Sequence, residues 1–181
     1  DRLAGLRIFA VDDSDINREL AIRIFGAEGA DVTLASNGRE AVELLAQSPG
    51  RFDIVLMDVQ MPEMDGLEAT RRIRALPHGR ALPIVALTAG AFSSQREAVL
   101  ASGVNDVVTK PFDVDATVRL IQQLCGVLPE SRSESVDNPP AGHMEIQPLN
   151  YARDLQIWGD EETYRTYLRK FAADYSRCDL K

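Results

Sequence analysis

Five side chains in this sequence could together do metal and phosphorus chemistry: Asp12, Asp13, Asp58, Thr88 and Lys110. They follow short apolar runs at residues 6–11, 54–57, 83–87 and 107–108. Carboxylates gathered in one crevice repel one another and raise at least one apparent pKa unless a cation is present. A hard divalent cation resolves that conflict. Mg2+ favours carboxylate and carbonyl oxygens and often completes its shell with a phosphate. On this reading Asp13 and Asp58 are direct ligands, Asp12 is a ligand through water, and the backbone carbonyl of Gln60 is a fourth contributor. A carboxylate in such a site can also attack phosphorus and form an acyl phosphate. The equatorial oxygens of the transferring group then need neutralising, by the cation, Lys110 and the Thr88 hydroxyl. Taken singly, each residue has an ordinary structural use, Asp above all as a cap or turn former. Their joint occurrence favours a site. Lys110 is also the sole Lys before Lys170 in a chain that otherwise uses Arg, whose planar fork differs from a compact ammonium.

These residues need elements that bring them together. Residues 6–11 read as a strand, and Ser14 as the cap of a helix with Ile16, Leu20, Ile24 and Ala27 on one face, stopped by Gly29. Residues 32–34 read as a short strand. Asn37 with Glu40 resembles a capping box opening a helix through Leu45. Residues 54–57 form a strand ending in Asp58, followed by a turn at 61–66 and a helix to about Leu76. Residues 83–87 form a strand ending in Thr88. Ser94 with Glu97 caps a helix stopped at Gly103. Residues 107–108 form a strand ending at Lys110 and Pro111. Asp113 caps a last helix with Val114, Thr117, Val118, Ile121 and Leu124 inward. Five strand–helix repeats without inner-polar alternation predict an α/β fold. Its doubly wound parallel sheet has order 2-1-3-4-5, helices on both faces and strands buried on both faces. In such sheets ligands sit beyond the carboxyl ends of the strands, and strands one and three are neighbours at the switch point.

Residues 129–148 are rich in Ser, Pro and Asn and read as a linker after a domain at 1–128. Residues 149–181 read as a helical segment, with Tyr164, Tyr167, Leu168, Phe171 and Tyr175 at helical spacing.

Composition excludes other classes. The chain has 20 basic and 28 acidic side chains, a formal charge of −8, which argues against a nucleic-acid partner. Its apolar fraction of 45% is that of a folded protein, and no apolar run is long enough for a membrane span or a signal-peptide core. Cys125 and Cys178 fit no metal spacing and no disulfide scaffold, so a reducing, cytoplasmic setting is expected. The chain begins at Asp1 without Met and is expected to be part of a longer protein, one that could be anchored in an inner membrane.

The runs Val11-Asp12-Asp13-Ser14, the eleven residues from Leu56 to Gly66, Ala86-Leu87-Thr88-Ala89 and Thr109-Lys110-Pro111-Phe112 resemble the receiver domain of two-component response regulators and hybrid sensor kinases. The resemblance spans residues 5 to about 126. It implies a flavodoxin-like fold, Mg2+ dependence through Asp12 and Asp13, and phosphoryl acceptance by Asp58 from a histidine kinase or a histidine-phosphotransfer domain. It also implies that Thr88 moves toward the new phosphate, that Lys110 bonds to it, and that the Lys110–Pro111 peptide is cis. The run Asp15-Ile16-Asn17-Arg18-Glu19 is most similar to receivers of hybrid kinases. One position departs: Val107 stands where receivers often carry an aromatic ring that turns inward, which implies a muted switch suited to a relay intermediate. Gln60 and Gly90 lie where receivers tune hydrolysis.

The segment at 149–181 is similar to the opening of a histidine-phosphotransfer domain. The chain's two His residues, His78 and His143, fit no phospho-accepting run, and the aromatic stripe is expected to seek a partner surface, in another chain, as in a homodimer through the tail, or in the receiver itself. The alternatives are an Mg2+-dependent phosphohydrolase and a receiver-like scaffold that is not phosphorylated. The first needs an acid where Gln60 stands, and the second leaves five site residues without a task. A receiver that is phosphorylated and dephosphorylated, rather than a turnover enzyme, is therefore expected.

Overall fold

The computed structural model describes residues 1–89 and 93–127. The expected linker, helical segment and tail dimer lie outside the described residues, as does Gly90. The elements are β1 (Arg7–Val11), α1 (Asp15–Ala27), β2 (Asp31–Ala35), α2 (Gly38–Gln47), β3 (Ile54–Asp58), α3 (Gly66–Ala75), β4 (Ile84–Thr88), α4 (Ser93–Ala101), β5 (Asp106–Thr109) and α5 (Val114–Cys125). All pairings are parallel and the sheet order is β2-β1-β3-β4-β5, as the alternation of patterns predicts. Among the described residues no helix is long and apolar enough to cross a membrane.

Burial follows position in the sheet. β3 and β4 are buried along their whole length, and β1 from Ile8 onward. The edge strands β2 and β5 are only half-buried, contrary to the expectation of burial on both faces, because each has one neighbour and a partly open side. Along β3, Val55 and Met57 join the core cluster with Ala41 and Leu45 of α2, Ala69 and Ile73 of α3, and Val99 of α4. Ile54 and Leu56 alternate to the other face. There α1 supplies Leu20, Ala21, Ile24 and Phe25, and α5 supplies Thr117, Val118 and Ile121. Each such buried aliphatic side chain contributes about 1.5–3 kcal/mol relative to exposure.

Three local expectations shift. Ala27 is exposed because α1 ends there and the chain turns at Gly29, with φ +89°; Phe25 and Ala21 fill the inner face instead. Ser14 precedes α1 as its cap residue, but its side chain makes no capping bond; its N–H is drawn to Asp12 Oδ1 at 2.9 Å. Ser94 lies inside α4, which already begins at Ser93. The other caps match: Asn37 Oδ1 accepts from Glu40 N at 2.9 Å, and Asp113 Oδ1 from Ala116 N at 2.7 Å. Glu40 reaches back one residue further than the usual box, to Ser36 N at 2.7 Å.

The end of the sheet remote from the acidic residues is organised by Arg74, near the end of α3. Its guanidinium donates to the carbonyls of Gly103 (2.8 Å), Leu82 (2.7 Å) and Gly79, and to Asn105 Oδ1 (2.9 Å). These groups belong to the α3–β4 and α4–β5 connections, so one planar fork ties both loops to α3. Gly79 is needed there, since a Cβ would lie 1.7 Å from Ile73 O. Asn105 Oδ1 also accepts Ile84 N at 2.8 Å, which ties the start of β4 to the same group. Arg74→Ala should destabilise the domain by about 2–3 kcal/mol in a urea titration, because several carbonyls lose a charged donor. Arg74→Lys should recover less than half of this, since one ammonium cannot span the same acceptors.

Candidate functional site

The carboxyl ends of β1, β3 and β5 meet at one edge of the sheet. Asp12 N–H still donates to Ala35 O at 3.2 Å, so Asp12 continues the pairing of β1 with β2 and is buried, while Asp13 turns out to solvent. Asp58 is the last residue of β3, paired with Leu87, and is 6% exposed. Val59 N–H holds Leu87 O at 3.0 Å, which fixes the strand end beneath the following loop. Met61 and Met64 of that loop are buried in the core, and Glu63 between them takes φ +65°. α3 then starts directly against Asp58. A Cβ at Gly66 would lie 2.1 Å from Asp58 O, so this close approach admits only glycine.

One oxygen from each of Asp12, Asp13 and Asp58 lies within 4.8 Å of the others. Lys110 enters from the end of β5. Its N–H donates to Thr88 O at 2.7 Å, its peptide with Pro111 is cis, and Phe112 stacks on Phe25 of α1 at 6.2 Å. The ammonium bonds Asp12 Oδ2 at 2.8 Å and pairs with Asp58 Oδ2 at 3.2 Å. Thr88 ends β4, buried, in register with Thr109. Gln60 is exposed, and its N–H donates to Asp58 Oδ1 at 3.3 Å. Val107 is half-buried and packs against the core cluster. Asp12, Asp13, Lys110 and the Gln60 N–H thus gather around the Asp58 carboxylate.

Charge is unbalanced there. Burial pushes Asp58 up to about 6; the Lys110 ammonium opposes this, and the Asp12 charge adds to it. The Asp13 carboxyl, though its residue faces solvent, is also raised, by partial loss of solvation beside its neighbours and then by the Asp12 charge. Burial works against the Lys110 charge, but Asp58 and Asp12 outweigh it and hold its pKa above the ordinary lysine value. A set of carboxylate oxygens with surplus negative charge suits a hard divalent cation and offers no soft ligand.

Two contributors escaped the sequence reading. Asn17 Nδ2 donates to both oxygens of Asp12, and Arg18 Nη1 donates to Asp12 O at 2.7 Å while pairing with Asp15. Their signal was a polar pair in the first turn of the helix that follows Asp12, where the helix start faces the strand end. A separate cavity of about 730 Å³ lies at the opposite edge of the sheet, lined by Leu45, Phe52, Ile73, Leu82 and Cys125 among others, and contains none of the acidic trio.

Comparison with known proteins gives a consistent result. The family model described as the response regulator receiver domain matches residues 8–122. An uncharacterized 14.6 kDa protein of Leptolyngbya boryana is 45% identical over 127 residues, covering 70% of this chain and 95% of its own length. The sensor histidine kinase GacS of Pseudomonas protegens is 36% identical over 155 residues. That match covers 83% of this chain, but the chain spans only 17% of the kinase. Among solved structures, the receiver domain of sensor histidine kinase PA1611 from Pseudomonas aeruginosa PAO1 has a magnesium ion coordinated in its active-site cleft. It is 39% identical with TM-score 0.63, covering 68% of this chain and 99% of its own.

The raised Asp58 carboxyl has a definite sign for stability. The folded state binds its proton more tightly than the unfolded chain does. The resulting cost is absent below about pH 4, grows as pH rises toward 6 and is complete above that. Asp58→Asn should therefore stabilise the metal-free protein at pH 7.5 by about 1–2 kcal/mol, less than the full shift because Lys110 loses a partner. The gain should vanish at pH 4, as read by paired denaturant titrations. A divalent cation should narrow the difference at pH 7.5 by stabilising the wild type more than the variant.

Proposed function

The chain belongs to the response regulator receiver domain family, and from this premise we propose that Asp58 is the phosphoryl acceptor of an Mg2+-dependent phosphorelay step. The protein is a receiver domain of the two-component kind, related to the receivers of hybrid sensor kinases. The observation that carries the proposal is the setting of Asp58: a buried carboxylate at the end of a central strand, with Asp12, Asp13 and Lys110 all gathered around it.

In the proposed step an Asp58 oxygen attacks the phosphorus of a phosphohistidine. The O–P bond forms as the P–N bond breaks, and the imidazole leaves with the electron pair and takes a proton from water. Asp58 is mostly ionised at neutral pH despite its raised pKa, so the nucleophile is available. Lys110 offsets charge on the phosphoryl oxygens, and the Thr88 hydroxyl donates to one of them. Asp13 and Asp58 would hold Mg2+, with the Gln60 carbonyl, and Asp12 would contact it through water. Bound Mg2+ supplies charge neutralisation for the carboxylates and for the transferring group.

The donor is a histidine kinase or a histidine-phosphotransfer domain, since neither His78 nor His143 lies in a phospho-accepting run. Kinase chemistry draws on ATP, which supports a cytoplasmic setting. A phosphohydrolase is less well supported because Gln60, unlike an acid, cannot exchange a proton with an attacking water.

Beryllium fluoride with Mg2+ should bind one per chain, and acetyl phosphate should label the protein stoichiometrically. Asp58→Asn and chelation with EDTA should each abolish both. Labelling that survives Asp58→Asn would sink the assignment. Lys110→Arg should impair labelling at least tenfold despite its retained charge, since the fork is wider than the ammonium it replaces. The α4 resonances should move little on beryllium fluoride binding, given Val107 in place of a ring; a large rearrangement there would show a full switch instead.

A further inference from the structure

Asp12 is the most fully bonded of the three acids. Oδ1 accepts Ser14 N–H at 2.9 Å and Asn17 Nδ2 at 3.1 Å. Oδ2 accepts Asn17 Nδ2 at 3.0 Å and Lys110 Nζ at 2.8 Å. A carboxylate offers about four acceptor directions, and these donors hold it by both oxygens. The carbonyl of the same residue is held by Arg18 at 2.7 Å. Only the NH2 group of Asn17 suits this place, because an amide oxygen turned toward two carboxylate oxygens would repel both.

The geometry points to Asn17 as a positioning residue that acts through Asp12, a role resting on the metal and phosphoryl site proposed for Asp58. Among the described residues Asn17 is the one side chain that donates to both oxygens of Asp12, so it fixes the plane of the carboxylate as well as its place. It also limits how much of Lys110 the carboxylate claims. With Asn17 present, one ammonium serves both Asp12 and Asp58. Without it, Asp12 can rotate toward its remaining strong donor and draw Lys110 away from Asp58. Asp58 then keeps its charge with less compensation, and the third carboxylate no longer faces the cation site in a fixed direction. Outer partners of this kind typically alter metal affinity by about 10–100-fold when removed.

The test uses the full chain and Mg2+ alone, titrated calorimetrically. Asn17→Leu, nearly isosteric but without a donor, should weaken Mg2+ binding about tenfold. Asn17→Gln, which keeps the NH2 on a longer arm, should stay within about threefold of wild type. In an Asp12→Asn background Asn17→Leu should have no further effect, because the residue it acts through is gone. Equal losses in the Leu and Gln variants, no loss in the Leu variant, or an undiminished loss in the Asp12→Asn background would each overturn the role. The 15N shift of the Lys110 ammonium, read without metal, should change in Asn17→Leu and remain near wild type in Asn17→Gln. No phosphoryl donor is present in these measurements. A failure of Asp58 to accept phosphate would show in the labelling experiment and leave this result to stand separately.

Discussion

Three carboxylates held within 4.8 Å with one ammonium bonded among them set the terms for the rest of the domain. Such an arrangement opposes its own formation, because burial penalises the charges and the charges repel. It persists because the sheet is stiff. Asp12 and Asp58 sit at the ends of adjacent central strands whose flanking residues are fully buried, so neither can retreat without breaking β1–β3 pairing. The stored conflict is what would give a hard cation its affinity. A divalent ion bound there would restore the balance that the protein alone leaves unmet, and metal capture and fold stability would then be two readings of one equilibrium.

The two ends of the sheet therefore have different duties. At the carboxyl ends, polar groups face one another with surplus charge. At the amino ends, Arg74 uses its positive charge on carbonyls rather than on an acid, and burial lowers its pKa. Gly79 and Gly66 illustrate the same division. Each is required by a backbone oxygen too close for any side chain, Ile73 O in the first case and Asp58 O in the second. One closes a loop, and the other lets a helix begin beside Asp58.

Much of this was legible in the sequence, for a physical reason. Strictly alternating strand and helix patterns leave few topologies, and strand order then dictates which strand ends are neighbours. Asp12, Asp13, Asp58, Thr88 and Lys110 could be gathered from that alone. Burial of the edge strands was misjudged because apolar content does not reveal how many neighbours a strand has. Ser14 is the cap residue of α1 as its type and position suggest, but its side chain makes no capping bond, and its own N–H donates to Asp12. Asn17 and Arg18 carried no periodic signal at all. Their importance comes from the direction in which α1 leaves β1, which only the three-dimensional path of the β1–α1 loop supplies.

The bond between Lys110 and Asp12 joins residues separated by 98 positions. That distance has a meaning for biosynthesis. A ribosome adds about 5–20 residues per second, so the acids of β1 and β3 emerge seconds before the ammonium that answers them. During that interval the nascent sheet carries its repulsion uncompensated. The order of synthesis thus discourages early closure around an incomplete site, and the ammonium that offsets part of its charge arrives only with the fifth strand.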